Sequence, residues 1–206
     1  MDRCIGMLYW IEKHPGLASW VQAIGSIIAI GIAIWVPYWQ KKQAHEQARQ
    51  AEADQVRHLL RNLLDEIIVV SSGFREQNGK LLLETTDGSP FMYVVPVMDN
   101  PFPIYNASTA KLGQIPDDEL RRHLITGYGY ASAFVSSIRF NNLLLQRFAE
   151  AKYLASIHDD DIHRGLQESQ HTILAQYGHA LKRSYNSATE KLQLAQDAME
   201  AALGMN

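Results

Sequence analysis

Cysteine is almost missing from this 206-residue chain: Cys4 stands alone, and everything beyond the first few residues lacks a thiol. No disulfide can form within one copy, so the fold must rest on packing, as in proteins of a reducing compartment. Charge is missing from a second place. Residues 15–40, PGLASWVQAIGSIIAIGIAIWVPYWQ, hold no acidic or basic side chain. Familiar chemical signatures are missing as well. There is no glycine-rich phosphate loop of the Walker type, and Ser71-Ser72-Gly73 lacks the pattern around a hydrolase nucleophile. Neither an internal repeat nor a low-complexity tract is present. No catalytic residue and no cofactor can be assigned.

The charge-free run is the strongest signal that is present. A bilayer needs about 20 apolar residues in a helix, and this run is long enough. It ends in bulky Trp35-Val36-Pro37-Tyr38-Trp39, unlike the small-residue cleavage site of a secretory signal. Trp20 at one end and Trp35, Tyr38 and Trp39 at the other match aromatic belts at two membrane interfaces. The lipid bilayer is thus an expected partner. Lys41, Lys42 and Arg49 follow, with Arg57 and Arg61 beyond, against Arg3 and Lys13 on the N-terminal side. Positive flanks stay inside, which predicts the N-terminus outside and the C-terminal part in the cytoplasm of a bacterial inner-membrane protein. Gly25, Ala29 and Ala33 recur every fourth residue and predict a smooth strip for self-association, hence a homo-oligomer.

Beyond the run, the expected fold is mainly α. The transmembrane helix (15–40), preceded by a flank (1–14), continues as a juxtamembrane helix (41–72). An irregular Pro/Gly-rich middle segment (73–116) follows, and a helical hairpin (117–206) completes a cytoplasmic bundle of about three long helices. In the first of these, Val56, Leu60, Leu63, Ile67 and Val70 alternate steps of four and three, and Leu59, Leu64 and Ile68 widen the stripe. In the middle segment, Asp87-Gly88 marks a turn, flanked either by two short strands or by a helix reaching Leu83. Asn106 reads as the cap of a short helix that stops at Gly113. Pro116 reads as a first helical position, and the next seam is Leu120, Leu124, Ala131, Val135, Ile138, Leu145 and Ala149, with Asn142 in a buried-type slot. Gly127 and Gly129 allow close packing or a bend there. The last helix starts at Asp159-Asp160-Asp161 and carries Leu174, Leu181, Tyr185, Ala188, Leu192, Ala195, Met199 and Ala202.

Candidate sites are few. His158, Asp161 and His163 are the one cluster with the chemistry of metal ligands, but they also sit where a helix start favours acids. Asp65-Glu66 and Asp117-Asp118-Glu119 offer carboxylates without an identifiable partner. Phe91, Tyr93, Phe102 and Tyr105 lie among Pro96, Pro101 and Pro103. They form either a loop folded over the helices or a recognition surface for a protein partner. The net charge of −3, with its acidic excess beyond Lys42, gives no concentrated basic face, so nucleic acid is not expected.

The stretch from Tyr105 to Tyr128, YNASTAKLGQIPDDELRRHLITGY, together with Trp20 to Ile27, resembles a pattern in small bacterial and prophage single-pass membrane proteins. That resemblance implies a bacterial or phage origin and an inner-membrane location, and it transfers no site. The function expected is a membrane-anchored, non-enzymatic interaction module. An oligomeric pore is the alternative, disfavoured by the few polar residues available to line a channel. A metal-dependent hydrolase built on the His158–His163 cluster is the third.

Overall fold

The computed structural model describes residues 15–86, 88–158 and 160–205. The N-terminal flank 1–14, with Arg3, Cys4 and Lys13, and the single residues Asp87 and Asp159 lie outside the described residues. The chain falls into two compact units, Met1–Asp54 and Gln55–Asn206. The described elements are helical, with no strand among the described residues.

In the first unit the described residues belong to α1, Pro15–Gly73, which runs through Pro37. Proline removes one helix hydrogen bond, and the helix absorbs that loss. Among the described residues this is the one helix long and apolar enough to cross a membrane, with a mean hydropathy of 1.5 over its most apolar window. Ile24, Ile27, Ile28, Ile30, Ile32, Ile34 and Trp35 are all exposed, and none of that window is buried. A helix apolar around its whole circumference is normally covered by protein or by lipid.

In the second unit the rest of α1 supplies a core face. Leu63 and Ile67 are fully buried, Leu59, Leu60 and Leu64 nearly so, and Val56 and Val70 pack at the margin. Burying each such side chain contributes about 1.5–3 kcal/mol. Ile68 departs from expectation and stays exposed. It lies a further 40° round the helix from Leu64, by the ~100° step per residue, and that takes it past the packed face.

Ser71-Ser72-Gly73 does not end the helical course. A π-turn, Phe74–Gly79, and α2, Lys80–Glu84, carry it on, so the irregular stretch starts at Thr85 rather than at 73. Ser72 remains compatible with the helix because its hydroxyl donates to the Val69 carbonyl at 2.9 Å. The two strands considered around Asp87-Gly88 do not form: α2 occupies the first, and residues 90–98 have no regular secondary structure. Then come α3, Pro103–Ser108, and a 3₁₀ turn, Thr109–Gln114.

Two long helices follow, α4, Asp118–Ile157, and α5, Asp161–Leu203. α4 starts two residues after Pro116, because Asp117 is its cap, accepting from the Glu119 and Leu120 amides at 2.9 and 3.0 Å. Leu120 and Leu124 of α4 cluster with Leu192, Ala195 and Met199 of α5, and Leu144 and Leu145 cluster with Leu174. The start of one helix therefore meets the end of the other, which is antiparallel pairing. They approach closely at Gly127, where a Cβ would stand 3.0 Å from the Lys191 carbonyl oxygen. Gly129 faces open space instead. The expected seam residues are buried except Ala149 and Ala202, which are exposed, and Asn142, which is half-buried.

Candidate functional site

Among the described residues the second unit holds one buried acid, Glu66, on the packed face of α1. Its carboxylate accepts hydrogen bonds from the Ile104 amide at 2.6 Å, the Tyr105 amide at 3.0 Å and the Tyr128 hydroxyl at 2.8 Å. The first two are the free N–H groups of the opening turn of α3. Phe102 occupies the cap position of α3 and has no side-chain cap bond, while Pro103 has no N–H to offer. Glu66 is thus the cap of a helix 38 residues downstream. This explains why α3 begins at Pro103 and not at the expected cap Asn106. Tyr105 stacks on Tyr128 with ring centroids 3.9 Å apart, and Phe102 meets Tyr128 edge-on at 5.5 Å. Burial, then the Glu66 bond and charge, and last Tyr105 hold the Tyr128 hydroxyl well above its usual range; burial alone raises Tyr105. Both phenols therefore stay protonated donors.

Residues 89–101, which have no regular secondary structure, lie against α4 and are tied to it by side chains. Asn142 accepts from the Val95 amide at 3.1 Å and donates to the Val95 carbonyl at 2.7 Å. Asn141 donates to the Phe91 carbonyl at 3.2 Å, and Arg139 donates to the Met98 carbonyl at 2.7 Å. Asn142, expected in a buried-type slot of the seam, instead reads the backbone of this segment. On the α5 side the Ser89 carbonyl oxygen seats against Gly178, where a Cβ would stand 2.7 Å away. Gly178→Ala gains about 1 kcal/mol in helix propensity but forces an unyielding backbone contact that costs about 1–3 kcal/mol. We expect a net loss and a lowered urea midpoint, with a raised midpoint refuting the contact.

Beside this segment runs an open apolar groove of about 370 Å³. Val69, Val70 and Phe74 form one wall, Val95 to Met98 and Pro101 the second, and Phe134, Val135 and Ile138 the floor. Val69 and Met98 on its rim are exposed to 69% and 72%.

The sequence-derived candidates fall as follows. Phe91 and Phe102 are buried, so they cannot belong to an outward recognition surface; Tyr105 is half-buried against Tyr128, and only Tyr93 faces out. The outward apolar side chains of the segment are Met92, Tyr93, Val94 and Met98. The phase of an irregular segment has no fixed period, so burial there could not be read from spacing. Asp161 pairs with Arg164 at 2.8 Å, and His163 pairs with Asp160 at 2.8 Å with the His158 ring stacked on it at 4.7 Å. The His163 amide and then its ring hold the Asp160 carboxyl below its usual range. These groups start α5; among the described residues no group of three or more histidines and acids is gathered as for a metal ion. Gly25, Ala29 and Ala33 are exposed on α1, with nothing within 4 Å of where a Gly25 Cβ would sit. Glu66 stood out in the sequence only as a carboxylate without an identifiable partner, and its capping role and the apolar groove were missed. The one local trace of that role is an acid flanking the seam, between Leu63 and Ile67. No family model matches the chain, and neither a curated protein nor a solved structure matches it.

Proposed function

We propose that this chain is a membrane-anchored, non-enzymatic protein-interaction module of bacterial or phage origin, which self-associates through its anchor and docks a protein partner in the groove. The observation that carries this reading is the groove: an open, mainly apolar trough with Val69 and Met98 exposed on its rim. Such surface is a cost in water unless something covers it. The uncovered apolar length of α1 supports residues 15–40 as a transmembrane helix. Lys41, Lys42 and Arg49 support an inner-membrane protein with its N-terminus outside and its second unit in the cytoplasm. The strip Gly25, Ala29 and Ala33 supports close approach of two such helices. The resemblance of residues 105–128 to prophage membrane proteins supports the origin.

A photoreactive amino acid at Met98, in the full-length chain in its own membrane, tests the docking. A protein adduct is expected, and Val69→Asp should cut its yield at least tenfold, because a charge on the rim must be desolvated on docking. Val69 is exposed, so the substitution leaves folding near unchanged. An adduct to lipid alone, or one indifferent to Val69→Asp, rules the reading out.

A further inference from the structure

Residues 89–101 are held mainly by side chains rather than by a backbone ladder. Between Pro90 and Pro101 there is no backbone–backbone hydrogen bond among the described residues. Pro90, Pro96 and Pro101 have no N–H to give, so a ladder is closed to this segment in any case. The ties are side-chain clips: three from a single turn of α4, Arg139 to Met98, Asn141 to Phe91, and the paired hydrogen bonds of Asn142 to Val95, and one from α3, where Asn106 donates to the Asn100 side chain at 2.7 Å. Phe91 and Val95 are buried, in the cluster of Leu82, Phe134, Ile138 and Leu181, and Val97 packs half-buried against it, while Met92, Tyr93, Val94 and Met98 stay outside. The closed arrangement is also incompletely satisfied, since the Asn141 Oδ1 atom is buried without a hydrogen-bond partner. At one end Gly88 turns the chain with φ of +85°, and at the other Glu66 fixes residues 104 and 105.

We propose that residues 89–101 are a releasable strap, held shut on α4 by Arg139, Asn141 and Asn142, whose opening uncovers the apolar slot now filled by Phe91 and Val95. A segment with few buried anchors and no ladder belongs to the low-stability end of a fold and opens without the helices. The prolines keep the released chain extended, so it loses little freedom on closing again. The strap is also one wall of the groove. Opening therefore enlarges the groove toward Leu181, and a partner that touches both walls holds the strap shut. This consequence rests on the docking reading given above; the opening itself does not.

Chymotrypsin cleavage after Tyr93, in the full-length chain in detergent, reads the opening directly. Tyr93 is half-exposed, but a protease needs several flanking residues freed. Wild-type cleavage is expected to depend only weakly on urea below the global transition, the mark of a small opening. Asn142→Leu removes both bonds to Val95 and should speed cleavage roughly tenfold to a hundredfold, with helical circular dichroism retained. Asn186→Leu, on the exposed face of α5, should leave the rate alone. Cleavage that follows urea as steeply as global unfolding overturns the strap, and so does a rate unmoved by Asn142→Leu. If Asn142→Leu fails to fold, the wild-type urea slope decides by itself. No partner is present in this assay, so its failure leaves the groove reading standing, and loss of the Met98 adduct leaves the strap standing.

Discussion

Glu66→Ala should destabilise the second unit by about 3–5 kcal/mol, the range for stripping the acceptor from a buried network. The Ile104 and Tyr105 amides and the Tyr128 hydroxyl all lose their partner at once. The Tyr128 hydroxyl keeps a longer bond to the Leu63 carbonyl at 3.2 Å, which recovers part of its loss. The two amides have no other acceptor in the first turn of α3. Tyr128→Phe removes one donor and leaves the cap intact, so it should cost only about 1 kcal/mol. Glu66→Gln falls between them, because its amide nitrogen must face donors. Urea unfolding of the full chain in detergent, followed by circular dichroism, ranks the three. A Glu66→Ala cost no greater than that of Tyr128→Phe would mean the acid does not cap α3. Because burial is the larger cause of the raised Tyr128 titration and Glu66 the smaller, the phenol of Glu66→Ala should titrate lower than in the wild type, yet still above its usual range.

Phe134→Ala should cost a similar amount, about 3–5 kcal/mol. The ring is fully buried, edge-on to Phe74 at 5.0 Å and to Tyr185 at 5.5 Å. Truncation removes the transfer energy of the ring and both aromatic contacts, each worth about 0.5–1.5 kcal/mol beyond area. It also opens a void between the groove floor and the slot of Phe91 and Val95. Residual cavity adds about 24 cal/mol per Å³. Phe134→Leu fills most of that space and should cost less than half as much. Equal losses for the two variants would show that the rings, not the filled volume, matter at this position.

Much of the helical plan was legible because period carries burial. Leu60, Leu63 and Ile67 on α1, and Leu174 through Met199 on α5, are buried where a helical stripe puts them. The start of α5 was legible too, since Asp160 caps it through local bonds to His163. The misplaced boundaries share a different cause. α3 is capped from another helix, and the course through Gly73 continues as a π-turn. A local pattern cannot register a partner that lies dozens of residues away. Spacing also failed for Phe91 and Phe102, because an irregular segment that follows no sheet buries whichever side chains its clips turn inward.

The sequence alone determined three things about this protein: an uncharged apolar run long enough for a bilayer, a mainly helical remainder, and the absence of disulfide chemistry within a copy. Each depends on composition or on a fixed period, which the order of residues states outright. The tertiary structure decided the use of the polar residues within the second unit. Glu66 became a cap, Asn142 a clasp on the Val95 backbone, and the valines and prolines of the middle segment the wall of a groove. Those roles are pairings between distant residues, and a hydrogen bond or an apolar contact exists only once folding has brought both partners within a few ångströms.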